Sequence, residues 1–219
     1  MYKRQDKWLG KDNVLLFLTS DHGVSETVPC LQKKHVDAGV LVEKLIADSL
    51  KQHLTKVFGD TISVLVNDFD VYFDQKRIEQ KNLNFIEVKN AVVSYLKKMN
   101  GIADAVTSNE IQEDNFADGS NPSRDSLRVK VKAGYNAGRS GQVVFILKPG
   151  WLIGFYKGAT HGSPYIYDTH VPLLWWGSSI KQGNSELPIT ITQIVPTLSE
   201  ILKVSVPEGC VAKPISFDK

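Results

Sequence analysis

Apolar residues fall along this chain in two rhythms. Short unbroken runs occur at Val14–Thr19 (VLLFLT), Gln142–Lys148 (QVVFILK), Trp151–Tyr156 (WLIGFY) and Val171–Trp176 (VPLLWW). Runs of this length, bounded by polar residues, Gly or Pro, predict strands buried in a core. Elsewhere the spacing lengthens. Leu41, Leu45, Leu50, Leu54 and Val57 recur at helical intervals, which predicts a helix over Val40–Phe58 stopped by Gly59. A second amphipathic pattern covers Phe85–Met99 and closes at Asn100-Gly101. Helices are also expected over Arg124–Tyr135 and over Thr192–Leu202, the latter capped by Thr190 or Thr192. Thr61–Val66 alternates as a strand does, with Val71–Phe73 as its hairpin partner across "NDFD". Ala103–Thr107 reads as a short strand. Ser20–Lys34, broken by Pro29, reads as a loop, and Glu113–Ser126 (EDNFADGSNPSRDS) as a loop or lid. Pro149-Gly150 predicts a turn between two adjoining strands.

Strands alternating with helices place the chain in the α/β class, with a mostly parallel, doubly wound sheet. Lys34–Asn109, with two helices and a β-rich piece, is expected to be a smaller α+β insertion. Residues 1–33 and 110–219 then form the main domain. The 219 residues are 42% apolar, enough for a sizeable core. Twenty-six basic against 24 acidic residues leave a net charge of +2, which gives no argument for a nucleic-acid partner or an acidic membrane surface. No stretch approaches the ~20 apolar residues of a membrane span. The opening residues lack the apolar region of a signal peptide. Cys30 and Cys210 form either one disulfide or two free thiols, and neither lies in a CxxC pair.

Chemistry concentrates where the apolar runs stop. Val14–Thr19 leads into Ser20, Asp21, His22 and Gly23. Ligands of open α/β sheets bind beyond the carboxyl ends of strands, so a carboxylate and an imidazole there can face one crevice. Together they suit Zn²⁺, which accepts oxygen and nitrogen donors. Gly23 lets the backbone turn away without crowding the ion. The plainer reading is an Asp that caps the next turn beside an exposed His. His161, again followed by glycine, and His170, just before another apolar run, strengthen the metal reading. Other polar groups have plainer roles. Thr19, Ser20 and Thr160 read as strand-end hydrogen bonders, and Tyr165, Tyr167, Trp175 and Trp176 as core aromatics. Lys148 and Lys157 read as solvated strand ends, and Asp68 and Asp70 as solvated turn acids far short of an EF-hand.

"FLTSDHG", "SGQVVFILKPGW", "THGSPYIYDTHVPLLWWG" and "ITQIVPTLSEIL…VPEGCVAKPI" follow one another to the C-terminus. In these pieces the chain resembles the alkaline phosphatase superfamily. It is most similar to the phosphate-irrepressible periplasmic alkaline phosphatases related to type I phosphodiesterases and nucleotide pyrophosphatases. The likeness is weakest over Lys34–Phe85. The resemblance implies an alkaline phosphatase-like α/β fold and two zinc ions acting on a small phosphate ester. It implies that Asp21 and His22 ligate the zinc that binds the nucleophile, and His161 the other. His170 is expected to orient its loop or to hydrogen-bond Asp168 rather than to ligate. The family's Thr or Ser nucleophile, an earlier Asp and an Asp-x-x-x-His have no matching position before Asp21. The expectation is therefore a C-terminal portion of a phosphomonoesterase, incomplete for catalysis alone, with the missing N-terminal half as partner or self-association through exposed apolar strands. Its alternatives are a phosphodiesterase or nucleotide pyrophosphatase, and a non-catalytic metal-binding or assembly module. A periplasmic or secreted location is implied by resemblance alone.

Overall fold

The computed structural model describes residues 7–10, 13–113, 119, 121–154, 156–177 and 180–217. Most of the expected lid, residues 114–118 and 120, and Phe155 of the WLIGFY run lie outside them. The chain divides into two compact units: Asp21–Val171, and residues 1–20 together with Pro172–Lys219.

In the first unit a four-stranded antiparallel sheet runs in the order β3 (Val64–Asn67), β4 (Asp70–Phe73), β6 (Val143–Leu147), β5 (Ile102–Thr107). The hairpin across "NDFD" forms, with Asp68 in the left-handed region at its turn. Helices α2 (Glu43–Phe58) and α4 (Phe85–Leu96) bury Ile46, Leu50, Leu54, Val88, Val92 and Leu96 against Val71, Val143, Phe145 and Leu147. Val106 and Val144 pack instead with Ile111 of α5 (Ser108–Gln112) and with Val131 of α6 (Pro122–Gly134). Successive side chains of a strand face opposite ways. Because both faces of β6 are covered, its sequence reads as an unbroken apolar run. Asn84 caps α4 and Asn121 caps α6, each side chain accepting backbone N–H groups of the first turn. Segment 34–109 shares this sheet with β6, since β4 and β5 both pair with it.

Several local expectations change. The Val40–Phe58 helix begins at Glu43; Gly39–Leu41 is a short strand, β2. Its inward stripe is Ile46, Leu50 and Leu54, while Leu45 and Val57 face solvent. Gly59 ends it at φ 70° as expected. Pro29 does not break structure but sits in the first turn of α1 (Val28–Lys33), where a proline's missing N–H costs nothing. The runs either side of Pro149-Gly150 do not adjoin in one sheet. β6 joins the antiparallel sheet, whereas β7 (Trp151–Ile153) pairs parallel with β2. Gly101 makes the redirection possible, since a Cβ there would lie 2.2 Å from the Trp151 ring.

In the second unit β1 (Leu15–Leu18) pairs antiparallel with β8 (Leu174–Gly177), Leu18 opposite Leu174. Helix α8 (Ile194–Leu202) follows a 3-10 turn over Ile191–Gln193 that Thr190 caps. β1 is not a buried strand within its own unit, because Leu18 is 62% and Leu174 59% exposed. The α/β class and the alkaline phosphatase-like type hold, and the described strands pair both ways, parallel only for β2 with β7. Both cysteines are free.

Candidate metal centre

Asp21, His22 and His161 all belong to the first unit. The rings of His22 and His161, far apart in sequence, stack face to face with centroids 3.5 Å apart and planes 12° from parallel. Nδ1 of His22 lies 2.6 Å from the Gly23 carbonyl oxygen. A carbonyl only accepts, so Nδ1 carries the hydrogen and donates it. With Nδ1 held by the carbonyl, Nε2 is the ring nitrogen that a metal would take. Nε2 stands 3.6 Å from Oδ2 of Asp21, whose Oδ1 accepts the His22 backbone N–H at 3.1 Å. Two ligands each ~2.0–2.1 Å from a tetrahedral zinc stand roughly 3.4 Å apart, so this nitrogen–oxygen pair is close to a ligating spacing.

Backbone ties hold the two histidine-bearing turns together. The Gly23 N–H donates to the Asp168 carbonyl at 2.8 Å, and the Ser25 N–H to the Thr160 carbonyl at 3.5 Å. Glycine is obligatory at 23 for a reason the sequence does not show: a Cβ would lie 2.0 Å from the Tyr167 carbonyl oxygen. Gly162, after His161, has φ 102°. Asp168 sits in α7 (Ile166–Thr169), is 4% exposed, and accepts the Ser163 N–H on Oδ2 at 2.8 Å. Its other carboxylate oxygen is buried without a partner. Sequence reasoning gave Asp168 only a secondary part; its spacing within HGSPYIYDTH was the available signal. No hydrogen bond joins it to His170, whose ring is exposed. Tyr165 anchors the same loop by donating to the Leu147 carbonyl at 2.6 Å, and burial pushes its phenol up to about 12.

A cavity of about 330 Å³ lies beside this loop, lined by Phe69, Phe145, Leu147, Tyr135, Gly162 and Ser163. Asp70 also reaches it and is not the solvated acid expected. It is half-buried, burial raises its carboxyl above the usual range, and it accepts the Gly141 N–H. A second cavity, of about 360 Å³ between α2 and α3 (Gln75–Gln80), contains none of the motif residues. Among the described residues no three or more His, Cys, Asp or Glu side chains gather as a metal site. The structure thus brings the His161 ring against that of His22, with Asp21 beside the latter, and does not gather the three expected ligands into a coordination sphere. Residues 120–124 spell Ser-x-Pro-x-Arg, the pattern around a sulfatase's formylglycine. Ser120 lies outside the described residues, and the stretch from Asn121 forms the cap and first turn of α6.

A family model for type I phosphodiesterase/nucleotide pyrophosphatase matches residues 4–171, and the chain belongs to that family. Among its relatives is alkaline phosphatase PafA of Elizabethkingia meningoseptica, 34% identical over 98% of this chain and 38% of that protein. A Myroides odoratus protein named as a calcium-transporting ATPase is 35% identical over 96% of this chain and 38% of its own length. A crystal structure of wild-type alkaline phosphatase PafA matches with a TM-score of 0.86 at 34% identity, over 98% of this chain and 40% of that one. The chain spans only 38% of the length of either relative.

Proposed function

We propose that this chain supplies the C-terminal metal-binding part of a zinc-dependent phosphoric ester hydrolase, a phosphomonoesterase of the alkaline phosphatase type. The stacked pair His22–His161, with Nδ1 of His22 tied to a carbonyl, carries the reading. Imidazole lone pairs lie in the ring plane, so stacked parallel rings cannot converge on one ion between their faces. Stacked with centroids 3.5 Å apart, they suit one ion each, and catalytic metal pairs stand about 3.5–4 Å apart. Asp21 and His22 would hold the nucleophile-side zinc and His161 the other. When bound, such a pair supplies Lewis acidity to the attacking and leaving oxygens of an in-line displacement. This chain's residues hold the donors in register: Gly23 permits a close backbone approach, Gly162 takes the left-handed turn after His161, and Tyr165 ties the loop to β6.

The nucleophile and the remaining donors would come from the portion of the relatives' length that this chain does not span. A periplasmic or secreted location fits the same resemblance. No described helix is long and apolar enough to cross a membrane. The test is zinc titration of the purified chain by calorimetry, with p-nitrophenyl phosphate as substrate. Zinc binding weakened at least tenfold by both His22→Ala and His161→Ala is expected. No turnover is expected until a polypeptide covering the rest of a relative is added, with the monoester then preferred to bis(p-nitrophenyl) phosphate. Zinc binding indifferent to both substitutions removes the metal reading. Turnover by the chain alone that vanishes in His161→Ala removes the incompleteness.

A further inference from the structure

Asp168 holds its place at a cost to folding. A carboxylate that is 4% exposed with one oxygen unpaired is unfavourable, because the charge leaves water without full compensation. A residue kept only for the fold would do better as a neutral amide, which still accepts the Ser163 N–H on one oxygen. Yet Asp168 touches both histidine turns at once. Its side chain holds Ser163, two positions after His161, and its main-chain carbonyl holds Gly23, next to His22. These ties converge where the two imidazoles stack.

We propose that Asp168 is a positioning residue for the metal centre: it keeps the two histidine turns in register, and its buried charge favours the cations they would hold. This rests on the metal reading for its second half only; the first concerns the metal-free chain. The charge destabilises the empty fold and stabilises the occupied one. Partners behind metal ligands, when removed, cost roughly 10–100-fold in metal affinity.

The experiment compares the full chain with Asp168→Asn and Asp168→Ala. Metal-free thermal unfolding, zinc affinity by competition with a chelator, and the ring-proton NMR shifts of His22 and His161 are measured. Asp168→Asn keeps the Ser163 tie. It is expected to melt at or above the wild-type temperature, to keep the stacking shifts, and to bind zinc at least tenfold more weakly. Asp168→Ala is expected to lose the stacking shifts while staying folded. If the alanine variant does not fold, the asparagine variant decides. An asparagine variant that melts several degrees lower, or binds zinc within about twofold of wild type, assigns Asp168 to the fold alone and overturns the proposal. Stacking shifts unchanged in a folded alanine variant overturn it as well. If the wild-type chain binds no zinc, the metal reading has failed, and the stacking shifts still judge the positioning half.

Discussion

The two units of this chain handle apolar surface in opposite ways. In Asp21–Val171 strand β6 is covered on both faces, and Val71, Val143, Leu50, Leu54, Val88 and Val92 are fully buried. In the other unit the β1–β8 ribbon leaves Phe17 41%, Leu18 62% and Leu174 59% exposed, and Val211 is 95% exposed. Two-stranded ribbons are marginal in water without something to pack on. The first unit therefore has the makings of independent stability, and the second has the character of a piece of a wider sheet. The three proposed ligands belong to the self-sufficient unit. Their geometry is set by its own backbone ties rather than by the ribbon.

The contrast is broken most directly by cavity mutations. Phe145, 1% exposed at the centre of the antiparallel sheet, packs edge-on to Phe69 with ring centroids 6.2 Å apart. Phe145→Ala is expected to cost about 3–5 kcal/mol in urea unfolding. Phe17→Ala, on the ribbon, is expected to cost less, about 1–2 kcal/mol, since 41% of Phe17 already meets water and its ring packs mainly on Trp175. Equal losses at the two positions would show that both units are cores of one kind.

A charged clamp sharpens the same point. Asp104, 6% exposed on β5, takes Arg128 Nε of α6 at 2.9 Å and Lys97 Nζ at 3.2 Å, beyond the end of α4. It thus links elements on both sides of the sheet. Burial alone would raise its carboxyl; the Arg128 hydrogen bond and the charges of Lys97 and Arg128 outweigh burial and hold it below the usual range. A carboxylate depressed in the folded state stabilises above its unfolded value, about 3.9, and loses that contribution as pH falls through the folded value. Asp104→Asn leaves the largely buried Arg128 without its carboxylate and is expected to cost about 3 kcal/mol at neutral pH. The gap between wild type and variant should close as urea melts are repeated below about pH 4. A gap constant from pH 7 to pH 3 would mean that the ion pair contributes nothing.

Much of this was legible in the sequence, and the failures share a cause. The existence of β3–β4, α4, β5, β6 and α8 follows from local period and capping chemistry. Pairing does not. Nothing local in QVVFILK and WLIGFY says that the first enters an antiparallel sheet and the second a parallel pair. That choice depends on Gly39 and Gly101, which make room for the Trp151 ring. The inward stripe of α2 was misjudged because Leu45 and Val57 keep the apolar rhythm yet face solvent. At the centre, Asp21, His22 and His161 stood out as candidate ligands at strand ends beside glycine. Asp168 did not, because its weight comes from a buried oxygen without a partner and a main-chain bond to Gly23, neither of which has a sequence signature.

The smallest expected effect on stability tests the ribbon itself. Leu18 and Leu174 stand opposite each other and largely in solvent. Unpaired strand edges with apolar side chains invite pairing with another chain, and a lysine on such a strand blunts it. Leu18→Lys removes little buried area, so its unfolding midpoint in urea should match wild type within about 0.5 kcal/mol. Its effect should instead appear in light scattering. The wild-type chain is expected to self-associate as concentration rises, and the variant to do so less. Association that leaves the variant unchanged would place the sticky surface elsewhere. A wild-type chain that stays monomeric throughout would mean that the exposed β1–β8 ribbon needs no cover, and with that the contrast between the two units would lose its functional meaning.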